Sequence, residues 1–134
     1  MKQSIIFIVD YNPIHCSLIK YHLNINHFHY IHLFRTGVEC MYRLQRNSHP
    51  DFLISDYNIG NYTGFDFLER VHHIDPLLKV IYFSSHDDPV LARRLLDAGA
   101  TDYVSKTGKL EVGITELIKN VKFLIKAESP VFEG

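Results

Sequence analysis

Four polar residues stand where chemistry is possible: Asp10, Asp56, Ser84 and Lys106. Asp10, Asp56 and Ser84 close short apolar runs, Ile5-Ile6-Phe7-Ile8-Val9, Phe52-Leu53-Ile54-Ser55 and Val80-Ile81-Tyr82-Phe83. Lys106 lies just past Tyr103-Val104. A carboxylate at a strand end can act as a nucleophile. A second carboxylate nearby supplies oxygen ligands for a hard divalent cation such as Mg2+. An ammonium and a hydroxyl neutralise and hydrogen-bond phosphoryl oxygens as charge redistributes. The set is chemically complete for phosphoryl transfer onto Asp56.

The elements that must position these groups follow from the spacing. The apolar runs predict strands buried on both faces, and the more polar His29–Phe34 predicts an edge strand. Between them lie helical segments. Asn12-Pro13 reads as a cap plus first-turn proline, followed by Ile14, Leu18 and Tyr21. Gly37 to about Arg46 carries Met41 and Leu44, and Thr63 with Asp66 opens a helix through Phe67, Leu68 and Val71. Asp88-Pro89 repeats the cap signal before Leu91, Leu95 and Ala98, and Gly99 closes that helix. A last helix runs from Leu110 to about Ala127, with Gly113 inside it at a cost of ~1 kcal/mol relative to Ala. Five strand–helix units with right-handed crossovers predict an α/β, doubly wound parallel sheet. In such a sheet ligands bind beyond the carboxyl ends of the strands, where the winding direction reverses. The four polar residues therefore converge on one edge.

Composition sets the outer limits. The 134 residues are 46% apolar and carry 14 Lys and Arg against 15 Asp and Glu, a net charge of −1. That balance predicts one domain with a real core and argues against direct, charge-driven binding to nucleic acid. No apolar run approaches the roughly 20 residues of a membrane span, and no signal peptide is evident. Cys16 and Cys40 are too few for a disulfide scaffold and are expected to be inert thiols in separate helices. A cytoplasmic domain over residues 1–127 is expected, with 128–134 a C-terminal tail, in part an expression remnant. Any larger output domain must come from another protein or from a part of this one outside the chain. His22, His27, His29 and His32 are expected to be solvated or packed rather than metal ligands, and His72-His73 to lie near a helix end.

The ordered motifs resemble the response-regulator receiver domains of two-component signalling. They are Ile8-Val9-Asp10, Ile54-Ser55-Asp56, Gly64, Val80 through Asp88, Ala98-Gly99-Ala100 and Asp102-Tyr103-Val104-Ser105-Lys106. The resemblance implies a flavodoxin-like (βα)5 fold with strand order 2-1-3-4-5. It implies phosphorylation of Asp56 by a histidine kinase or phosphotransfer protein, in a phosphorelay rather than a conventional enzyme. Asp10, Asp56 and the backbone carbonyl of Asn58 would bind Mg2+, and Lys106 would contact the phosphoryl group. Ser84 would hydrogen-bond to that group and draw its loop inward. Tyr103 would turn inward in response, reshaping the surface of the fourth helix, fifth strand and fifth helix for a downstream partner.

Three positions depart from the family pattern. Tyr11 stands where receivers usually carry a second acidic metal ligand, so Mg2+ is expected to bind weakly. Gly60 replaces a common proline, which predicts a more flexible loop. Thr107 follows Lys106 where proline is usual, which predicts a trans peptide and an altered loop. The alternative is a pseudo-receiver, a phosphorylation-independent interaction module whose metal site Tyr11 has weakened. An aspartyl-phosphate phosphatase would need an acid two residues past the nucleophile, where Asn58 stands, and flavin binding lacks a phosphate cradle after Asp10. Phe123 and Ile125 would suit a partner or weak homodimer surface on the last helix, though core packing accounts for them as simply.

Overall fold

The computed structural model describes residues 3–128 except Asn47, Asn61 and Thr107. The elements run β1 (Ile5–Val9), α1 (Pro13–Ile25), β2 (Tyr30–Phe34), α2 (Gly37–Leu44), β3 (Phe52–Ser55), α3 (Gly64–Ile74), β4 (Lys79–Ser84), α4 (Pro89–Asp97), β5 (Asp102–Ser105) and α5 (Leu110–Glu128). All four strand pairings are parallel, in the order β2-β1-β3-β4-β5. β2 is an edge strand, as its polarity predicted.

Strand alternation divides the core into two layers. Phe7, Val9, Leu53, Val80 and Tyr82 pack with α2, α3 and α4. Ile6, Ile8, Ile54, Ile81, Phe83 and Val104 pack with Cys16, Ile19 and Leu23 of α1 and Ile114, Leu117 and Val121 of α5. Because both faces are covered, the central strands are apolar except at their ends, Ser55, Lys79 and Ser84. The side-chain caps form as the sequence indicated: Asn12, Thr63 and Asp88 accept from first-turn amides of α1, α3 and α4.

Two glycines have reasons that sequence alone did not supply. Gly60 adopts φ +88, a left-handed backbone closed to proline, so conformation rather than looseness selects it. A Cβ at Gly113 would lie 3.0 Å from both the Ser105 carbonyl and the Phe83 ring. Close approach of α5 to the sheet accounts for that glycine, and the propensity penalty is the lesser consideration. Phe123 is 70% exposed and does not join the core, whereas Ile125 is half-buried against it. Thr107 and the residues after 128 lie outside the described residues.

Candidate functional site

The parallel ladder extends one residue beyond three of the strands. The Asp10 amide donates to the Phe34 carbonyl (3.0 Å), Asp56 to Val9 (2.9 Å) and Lys106 to Ser84 (2.7 Å). The same backbone hydrogen bonding that builds the sheet thus fixes where these side chains emerge.

They emerge around a single ammonium. Lys106 Nζ lies 2.6 Å from Asp10 Oδ2, 3.1 Å from His15 Nδ1 and 3.5 Å from Asp56 Oδ2. It also stands over the Phe83 ring, 5.2 Å from the centroid. A lysine ammonium has three donors, and three acceptors surround this one. Asp10 is 2% exposed and Lys106 is buried, so their pairing satisfies charges that would otherwise be costly to desolvate. Asp10 Oδ1 accepts the Asn12 amide (2.9 Å), and Asp56 Oδ1 accepts the Tyr57 amide (2.7 Å). The Asp56 side chain keeps 21% of its surface open and is the carboxylate an incoming group can reach. Two carboxylates and one ammonium leave the pocket at −1.

The wall beside Asp56 comes from the loops after β3 and β4. Ser84 is fully buried, and its Oγ accepts the His86 amide (3.2 Å). The Tyr103 hydroxyl donates to the His86 carbonyl and also hydrogen-bonds with the Ser84 side chain. Burial pushes the Tyr103 phenol above its ordinary pKa, with the Ser84 bond opposing that rise. Across the mouth, Asn58 Nδ2 lies 3.1 Å from His86 Nε2, and the Tyr57 ring meets the His86 ring edge-on at 5.5 Å. Tyr57 in turn lies over Gly64, where a Cβ would come within 2.4 Å of its ring. Ser84, His86 and Tyr103 are therefore mechanically joined, and His86 ties them to the loop that carries Asn58.

The sequence expectations fare unevenly in space. Asp10, Asp56 and Lys106 meet directly, and Ser84 and Tyr103 meet each other beside them. Tyr11 is 62% exposed. His15 and His86 were missed by sequence reasoning. For His15 there was a signal: the third residue of a helix beginning at a strand's carboxyl end sends its side chain back toward that end. His86 gave none, since its partners Asn58 and Tyr57 are joined to it only by the fold. Cys16, beneath the site, donates from Sγ to the Asp10 carbonyl, and burial, reinforced by the Asp10 charge, pushes its thiol up to about 11. Among the described residues, no group of three or more His, Cys, Asp or Glu is arranged to hold a metal ion. The donor set facing the pocket is two carboxylates, hard oxygen ligands that suit a cation retaining several waters, and Mg2+ fits it.

Comparison with known proteins agrees with this geometry. The family described as response regulator receiver domain matches residues 6–119. The chain is 31% identical over 106 residues to the Fimbriae Z protein of Escherichia coli K12, covering 79% of this chain and 50% of that protein. It is 40% identical over 65 residues to the two-component response regulator ORR3 of Oryza sativa subsp. japonica, covering 47% of this chain and 48% of that protein. The methanol utilization control regulatory protein MoxX of Paracoccus denitrificans is 37% identical over 67 residues, covering 48% of this chain and 30% of that protein. The chain thus spans about a third to a half of the length of these curated relatives. Among solved structures, the phosphorylated cyanobacterial phytochrome response regulator RcpA superposes with TM-score 0.83 at 20% identity, covering 96% of this chain and 98% of that one. A CheY-like receiver domain protein from Methanospirillum hungatei JF-1 gives 0.81 at 20% identity, covering 94% and 96%. By the family match across most of its length and by its strand order, the chain belongs to the response-regulator receiver domains of two-component signal transduction.

Proposed function

We propose that this receiver is a phosphorylation-dependent switch that accepts a phosphoryl group on Asp56 from a histidine kinase or phosphotransfer protein. The carrying observation is the Lys106 ammonium shared between buried Asp10 and solvent-open Asp56. An Asp56 carboxylate oxygen attacks the phosphorus of the donor's phosphohistidine. A P–O bond forms as the P–N bond breaks, and the donor imidazole leaves. Mg2+, held by Asp10, Asp56 and the Asn58 backbone carbonyl, would offset charge on the transferring oxygens. Lys106 shifts from Asp10 toward the new phosphoryl oxygens, which offer stronger acceptors than the Asp56 carboxylate did.

The phosphoryl group then competes for the Ser84 hydroxyl. Ser84 Oγ holds the His86 amide, and Tyr103 holds the His86 carbonyl, so drawing Ser84 inward moves both ends of that peptide segment. The surface of α4, β5 and α5 changes with it, and a downstream partner that binds one shape reads the state. Site assembly favours this reading over a pseudo-receiver, because the acceptor, its lysine and buried Ser84 are all in place despite Tyr11. The cost falls on metal affinity, one carboxylate being absent. No helix among the described residues is long and apolar enough to cross a membrane. The exposed Phe123 is consistent with a monomer or weak homodimer.

The test is amide NMR with beryllofluoride and Mg2+. Shifts concentrated at Ser84–His86 and Tyr103, and lost in Asp56→Asn, are expected. Shifts that persist in Asp56→Asn would contradict the assignment.

A further inference from the structure

His15 has no place in the scheme above, yet it contacts the reactive lysine directly. Its backbone is fixed by a short chain of bonds: Asp10 Oδ1 holds the Asn12 amide, and Asn12 Oδ1 accepts from the amides of Ile14 (2.9 Å) and His15 (3.3 Å). The ring then returns to Lys106, with Nδ1 3.1 Å from Nζ and 3.9 Å from Asp10 Oδ2. An ammonium only donates, so Nδ1 is the lone-pair nitrogen in this contact. Of the three acceptors around Nζ, Asp56 is the most distant.

We propose that His15 is a positioning residue, which occupies one N–H of Lys106 and so holds the ammonium back on Asp10. This rests on the phosphoacceptor reading of Asp56 and adds a regulator of that site. Without the His15 acceptor, Asp10 and Asp56 alone hold the ammonium, and its long contact with Asp56 Oδ2 closes from 3.5 Å to about 2.8 Å. Lysine then competes with a divalent cation for the Asp56 carboxylate and shields the nucleophile. His15 keeps Asp56 available in the resting state, and the lysine still needs only a small shift to reach a phosphoryl oxygen.

The reach of the acceptor gives a discriminating set of variants. Asn places Oδ1 near the position of Nδ1, Gln places its oxygen near that of Nε2, and Leu offers none. In the intact chain, H15L and H15Q should shift the Lys106 side-chain 15N resonance and weaken Mg2+ binding about five-fold, the scale of one net hydrogen bond. H15N should leave the lysine resonance at its wild-type position and keep Mg2+ affinity within about two-fold of wild type. H15L and H15Q indistinguishable from wild type, or H15N as impaired as H15L, would overturn the proposal, the second result marking a packing role only. H15N and H15Q are both polar and similar in size, so that pair decides the matter even if H15L folds poorly. The lysine resonance is read without phosphorylation. Failure of wild type to take phosphate from acetyl phosphate would count against Asp56 as acceptor, while the resonance still decides the role of His15.

Discussion

Restoring the absent carboxylate is the sharpest perturbation of the metal site. Tyr11→Asp takes the pocket from −1 to −2, counting Asp10, Asp56 and Lys106. Because Tyr11 is 62% exposed, the new charge sits at the solvent side, and the water-like end of the dielectric range applies. A carboxylate about 5 Å from a divalent ion at a dielectric of about 80 contributes about 1.7 kcal/mol. Mg2+ affinity should therefore rise about ten- to thirty-fold. Folding stability should change little, within about 0.5 kcal/mol, since the exposed ring leaves no cavity. The assay is Mg2+ titration followed by amide NMR, with Tyr11→Asn as the neutral control expected to show no gain. Wild type is expected to saturate only above the sub-millimolar range. A gain of less than about three-fold for Tyr11→Asp, or sub-millimolar saturation of the wild type, would show that Tyr11 does not weaken this site.

Lys106→Met strands the Asp10 carboxylate in the interior and should cost about 3–5 kcal/mol in urea unfolding at pH 7, and a loss below about 1 kcal/mol would contradict a buried pair. Gly64→Ala places a Cβ 2.4 Å from the Tyr57 ring, so amide shifts should spread from Tyr57 to Asn58 and His86, and shifts confined to α3 would speak against that linkage. Burial raises the Cys16 thiol from 9.0 to about 11 and moves Cys40 and Tyr82 upward as well. Above pH 9 the unfolded chain loses these protons first and so holds fewer than the folded one, and stability falls. The slope is at most about 1.4 kcal/mol per pH unit for each group, and urea midpoints equal at pH 8.5 and 10.5 would contradict it.

How much of this was legible in the sequence depends on how local the physics is. Asn12-Pro13 and Asp88-Pro89 announced their helices because a cap bonds amides two or three residues away. Asp10 and Asp56 were legible because each ends an apolar run, and a parallel sheet puts all such ends on one edge. Tyr11 was legible as a missing acid, though not as a side chain turned to solvent. Gly113 read as a local cost, whereas the reason for it is the Ser105 carbonyl on another element. The His86 contacts with Asn58 and Tyr57 bridge two loops, and no periodicity or spacing encodes such a meeting. His15 fell between these cases, since its helix was correctly placed but its contact with Lys106 spans 91 residues.

The central claim is that Asp56 accepts a phosphoryl group in a pocket whose metal affinity is low but not lost. Intact-mass measurement after incubation with acetyl phosphate, across a series of Mg2+ concentrations, tests it most directly. Wild type should gain one phosphoryl group in a yield that grows with Mg2+ well into the millimolar range, and Asp56→Asn should gain none. An unlabelled wild type at every Mg2+ concentration, or equal labelling of Asp56→Asn, would contradict it.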